Sequence, residues 1–162
     1  MQAKTICAVL ILVAAGAQAQ TQTLVASLSQ KSTKELLADL TDLDKGNDKA
    51  KAAVRAAGET RNLEVLAAGL KSSNYDVRGE TLDQLRKFSP REKRAALLPA
   101  LRDDTIWSER NGGEAHTVQV LFFKDIVAML KTLGLDVAWQ DFYSADGRKK
   151  IVKNLLALNL SS

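Results

Sequence analysis

A single histidine, His116, sets the limit on acid–base chemistry in this chain. A multi-histidine metal site is excluded, and a serine triad would have to be built on that one imidazole. His116 stands close to Glu114 and follows Gly112 and Gly113, a setting that reads as a surface or helix-capping histidine. The densest run of carboxylates is DLDKGND, Asp42 to Asp48. Its ligand types suit calcium, but Gly46 and Asn47 are in the wrong order for the sharp turn of a calcium loop, and Ala53 stands where the bidentate carboxylate belongs. Helix punctuation is the better reading. Cys7, the only cysteine, lies in an N-terminal apolar run that is expected to be cleaved off, so neither a disulfide framework nor a thiol nucleophile is available to the mature chain. The reading therefore assigns no catalytic, cofactor or metal residues, and the expectation is a protein that is not an enzyme.

Binding chemistry has more to draw on. Trp107 lies in TIWSERNGGE, beside the glycine pair, where an indole makes a candidate exposed anchor for a partner; a place in the core is the alternative. Arg78, Arg86, Arg91 and Arg94 make a candidate basic stripe that would receive an acidic partner. The stretch from Arg78 to Arg94 holds six basic and three acidic residues, Ala95 to Gly147 holds four and eight, and Arg148 onward holds four and none. The formal net charge of +4 is too small to mark a nucleic-acid binder, so nucleic acid is not expected as the partner. Trp139 and Phe142 read as the apolar cover of a helical array's end.

At the N-terminus, Lys4 precedes the apolar run TICAVLILVAA and then GAQAQ, with Ala17 and Ala19 flanking Gln18. That order is the three-part pattern of a secretory signal peptide, and the run falls short of the ~20 apolar residues that a spanning helix needs. The expectation is export to the periplasm or the extracellular space, with cleavage after Ala19 removing Cys7 and Lys4. Residues 1–19 are then signal peptide, 20–31 a Ser/Thr/Gln-rich flexible linker and 32–162 one domain.

The elements that position these side chains are helices. Ser32 and Glu35 have capping-box spacing, and Leu36, Leu37, Leu40 and Leu43 follow on one side. An alanine-rich helix from Ala50 to Ala57 is expected to end at Gly58 as its cap. Leu63, Leu66, Ala67 and Leu70 mark a third helix; Val77, Thr81, Leu82, Leu85 and Phe88 mark a fourth, over 75–88. Ser89, Pro90 and Glu92 give the strongest local start signal, for a fifth helix that contains Pro99. AHTVQVLFFKDIVAMLKTL is apolar around much of its circumference and ends at Gly134. A short aromatic helix, an Asp146–Gly147 turn and a closing amphipathic helix, RKKIVKNLLALNL, complete the chain.

A period underlies this order. LLADL at Leu36, LAAGL at Leu66 and LLPAL at Leu97 begin 30 and 31 residues apart, each placing leucines four apart. LAAGLKSSNYDVRGETLDQL followed by LLPALRDD resembles the short HEAT-type repeat, with Asn74, Asp76, Val77 and Arg78 on the turn motif and Pro99 on the proline of the first helix. The third unit keeps Asp103, Asp104 and Ile106 but has Trp107 in place of the arginine, and the match is absent from the C-terminal section. The resemblance implies an all-α fold: a short right-handed α-solenoid of antiparallel helix pairs, an armadillo-type superhelix with a C-terminal capping helix. It also implies a scaffold that presents a surface to another protein. On physical grounds Asn74 or Asp76 caps the following helix, Val77 wedges between paired helices and Arg78 reaches an acidic or carbonyl group in the next unit. A second class of function is binding of a polyanion or membrane surface through the basic stripe and the amphipathic tail.

Overall fold

The computed structural model describes residues 22, 24–41, 47–104, 107 and 113–160, with 113–118 described by their backbone alone. The proposed signal peptide, Asp42 to Gly46, Ile106, residues 108–112 and the His116 side chain lie outside the described residues. Within them the chain is all-α and has no strand. The helices are α1 (Thr33–Thr41), α2 (Asn47–Glu59), α3 (Leu63–Leu70), α4 (Tyr75–Leu85), α5 (Pro90–Leu101), α6 (Gly113–Thr132) and α7 (Ala145–Ala157), with a 3-10 helix, Trp139–Tyr143, between the last two.

Both predicted capping boxes form. The Ser32 and Ser89 backbone N–H groups each donate to the carboxylate three residues on, at 2.9 Å, while the Glu35 and Glu92 N–H groups donate back to the serine hydroxyls. Pro90 opens α5, where its missing N–H costs nothing. Asn62 starts α3 by accepting from the Val65 N–H, and Asn74, rather than Asp76, starts α4 by accepting from the Asp76 N–H.

Gly58 does not cap α2. The helix runs through it to Glu59, with the missing side chain leaving room for Gln84 of α4, and the closing left-handed residue is Arg61 at φ 55°. Asn62 N–H to Ala57 C=O and Arg61 N–H to Gly58 C=O complete the cap. Gly134 does close α6, as its φ of 87° and the Leu135 N–H bond to the Leu130 carbonyl show.

Three leucine pairs are buried: Leu36 with Leu40, Leu66 with Leu70, and Leu97 with Leu101. In α7, Ile151 and Leu155 repeat the spacing and are buried too. The long contacts join α1 to α2 and α3, α2 to α3 and α4, α3 to α4 and α5, α4 to α6, and α5 to α7. Helix starts meet along this series: the Asn62 amide donates to the Thr33 hydroxyl at 2.7 Å, and the Asn74 amide to the Asn47 side chain at 2.6 Å.

Two expectations need correction. The segment taken for a linker is packed in part, since residues 24–28 are helical and bury Val25 and Leu28 against the core. These two apolar side chains outweigh the polar composition around them. Asp146 and Gly147 belong to the first turn of α7, where the Ser144 hydroxyl accepts from the Gly147 N–H, and not to a separate turn.

Candidate functional site

Trp107 is core. It is 0 % exposed, its indole N–H donates to the Ala100 carbonyl at 2.7 Å, and its ring stacks on Phe142 and Phe122 and tilts against Phe123 at centroid distances of 5.0, 5.9 and 5.2 Å. The exposed-anchor reading of Trp107 is therefore wrong. An indole whose one donor finds a backbone carbonyl buries its whole face at little polar cost.

The basic stripe also comes apart. Arg78 is 3 % exposed: its Nε donates to the Ser72 carbonyl at 2.5 Å, and its guanidinium lies over the rings of Tyr75 and Phe122. The carbonyl it holds belongs to its own turn. Arg94 is tethered, donating to the Leu158 carbonyl at 2.9 Å. Arg86 and Arg91 remain exposed, and Arg86 lines a small groove of about 210 Å³ with Lys93, Asp125 and Met129. Helix periodicity alone could not separate a solvated arginine from one stacked on rings.

The structure instead pairs charges between segments distant in sequence. Arg55 reaches Glu80 at 2.7 Å, Arg61 reaches Glu92 at 2.5 Å and also covers the Phe88 ring, and Lys71 reaches Asp103 at 3.4 Å. The hydrogen bond from Arg61 and those from Ser89 push the Glu92 carboxyl down to about 2. Burial opposes ionisation of Asp39, but hydrogen bonds from Lys31 and Lys49 outweigh it and hold the carboxyl below its ordinary value. These are structural ion pairs. Among the described residues no cluster of three or more His, Cys, Asp or Glu is placed to hold a metal, and no helix is long and apolar enough to cross a membrane.

Open apolar grooves lie along the odd-numbered helices. One, of about 410 Å³, is lined by Leu37 of α1, by Leu63, Ala67 and Ala68 of α3, and by Ala95 and Pro99 of α5. Pro99, at an exposed point of α5, offers no N–H to the Ala95 carbonyl. A second, of about 430 Å³, lies between α5 and α7 and has Leu101, Val152 and Leu156 among its lining, with Arg102, Lys149 and Lys153.

The second groove is framed by a motif that sequence reading missed. Ser144, Asp146 and Arg148 occupy the places of Asn74, Asp76 and Arg78: cap, acid at the second helical position, arginine at the fourth. Arg148 donates to the Phe142 carbonyl, six residues back, as Arg78 does to Ser72. Its other terminal nitrogen bonds Asp104. The signal was present as SADGR against NYDVR, hidden by Gly147 in the place of Val77.

No family model, curated protein or solved structure matches this chain.

Proposed function

We propose that the protein is an exported, non-enzymatic helical-repeat scaffold that binds another protein through the face of its odd-numbered helices. The architecture in this reading is a short right-handed solenoid of antiparallel helix pairs, in which α1–α2, α3–α4 and α5–α6 are successive units and α7 caps the array. The observation that carries it is the pair of open apolar grooves on one layer, α1–α3–α5 and α5–α7. A face that is apolar in its grooves and charged at its rims has the make-up of a protein-binding surface.

Support for stacked units comes from sequence separation. The side-chain contacts Ser29–Glu59, Thr33–Asn62, Asn47–Asn74 and Arg61–Glu92 span 30, 29, 27 and 31 residues, close to the leucine period. Export rests on the N-terminal pattern alone. The alternative, a polyanion or membrane surface bound through stripe and tail, draws less support, since Ile151 and Leu155 of the tail are buried and two of the four stripe arginines are engaged.

The test is capture from the native envelope with the purified chain as bait, followed by reconstitution of the complex from two purified proteins. A saturable complex with one protein, and a recovered native chain beginning at Gln20, is the expected result. Retention on heparin or anionic vesicles with no protein partner overturns the reading in favour of the alternative.

A further inference from the structure

The groove between α5 and α7 is preformed. At one end Arg148 ties the start of α7 to Asp104 beyond the end of α5; at the other, Arg94 in the first half of α5 donates to the Leu158 carbonyl beyond the end of α7. The two helices therefore run antiparallel and are clipped at both ends. Their overlap from Arg94 to Asp104 is roughly 15 Å long at the rise of a helix.

Its lining is chemically lopsided. Arg102, Arg148, Lys149 and Lys153 supply four positive charges, and Asp104 supplies the one negative charge, already bonded by Arg148. Lys149 meets Asp146 at 3.5 Å, but both side chains are well exposed and such a pair holds little. Among the described residues no carboxylate lies in an ion pair with Arg102 or Lys153. Between these cations the floor is apolar, and Leu156 stands 49 % exposed beside Val152. An apolar slot with a cationic rim is complementary to an apolar stripe flanked by carboxylates.

We propose that this groove binds an acidic amphipathic segment of the partner protein, about ten residues long, with apolar side chains entering against Leu101, Val152 and Leu156 and carboxylates meeting Arg102, Lys149 and Lys153. The inference rests on the protein-binding reading and names the chemistry of the partner. Because both clips are made within the chain, the groove has little ordering cost to meet when the segment arrives.

The test is a fluorescence-anisotropy titration of the purified chain with a labelled twelve-residue peptide of Glu, Ala and Leu, its leucines at i, i+3, i+4 and i+7. Two comparison peptides replace every Glu by Lys or every Leu by Ser. The expected result is saturable binding of the acidic peptide, none of the lysine peptide and at least tenfold weaker binding of the serine peptide. In the Lys149→Glu/Lys153→Glu chain, whose changes fall on exposed side chains, the acidic peptide should bind at least tenfold more weakly with helical content and unfolding midpoint held. Equal binding of the serine peptide would make the groove a plain polyanion site and overturn the proposal. So would undiminished binding to the double variant, or no saturable binding at all. The protein-binding reading fails separately: if the double variant captures the natural partner as well as the parent chain does, the groove is wrong and the scaffold reading stands. If the peptide binds the groove but no protein is captured, the reverse holds.

Discussion

The turns at 72–78 and 142–148 are built alike and face different surroundings. Each has a polar cap, an aspartate at the second helical position and an arginine at the fourth that hydrogen-bonds the carbonyl six residues back. Arg78 then lies between the rings of Tyr75 and Phe122, deep among α4 and α6. Arg148 reaches out to Asp104, whose carboxylate is 76 % exposed, and lines the groove beside α7. The same local chemistry closes both turns, so the arginine's first role is to satisfy a carbonyl of its own turn. What differs is the second contact, rings in one case and a solvated carboxylate in the other, and only the second turn borders the groove proposed to bind a partner.

The aromatic cluster that backs both turns gives the largest expected effect. Trp107→Ala removes the ring that joins Phe122, near Arg78, to Phe142, whose carbonyl Arg148 holds, and should cost ~3–5 kcal/mol in chemical denaturation. An unchanged midpoint would detach the two turns from a common core.

The arginines themselves come next. Arg78→Ala should cost ~2–4 kcal/mol, because a charged hydrogen bond and two ring contacts go together. Arg148→Ala should cost less, ~2–3 kcal/mol, since its partner Asp104 is mostly solvated and that pair adds little. The reverse order, read from denaturation midpoints, would contradict the assignment of one turn to the core and the other to the rim.

The glycines next to these two arginines sharpen the contrast further. A methyl group at Gly147 would meet the Asp141 carbonyl, so Gly147→Ala should destabilise by ~1–3 kcal/mol. At Gly79, next to Arg78, a methyl group meets nothing, and Gly79→Ala should stabilise by up to ~1 kcal/mol through helix propensity. Thermal unfolding of the two variants in parallel checks the signs.

The smallest effect is one of pH. Glu92 bridges from the Ser89 cap to Arg61, and its folded-state value of about 2 lies below the ordinary 4.5. A depressed carboxylate contributes stability that is present above its unfolded value and is lost as pH falls toward the folded one. The denaturation midpoint should therefore drop between pH 4.5 and 2, and Glu92→Gln should flatten that part of the profile.

Sequence reading reached the helices and their starts because those signals are local. Ser32–Glu35, Ser89–Pro90–Glu92 and Asn74 each act within three residues, and the leucine pairs at 36, 66 and 97 needed only a period. It missed what depends on a distant neighbour. Trp107 is fixed by Ala100, Phe123 and Phe142, Arg78 by Phe122, and the space beside Gly58 is taken by Gln84. The second turn was missed for a related reason: Gly147 replaces the wedge residue because the preceding 3-10 helix crowds that position, and the changed letter conceals an unchanged geometry.

The most direct test places a photo-crosslinking side chain at Lys149, beside the second turn and in the groove, and separately at Asp76, exposed beside the first. With the partner captured from the native envelope present, the chain carrying the probe at position 149 should form a covalent adduct and the chain carrying it at position 76 should not. An adduct at 76 with none at 149 would contradict the account, since the turn built into the core would then be the one at the binding surface.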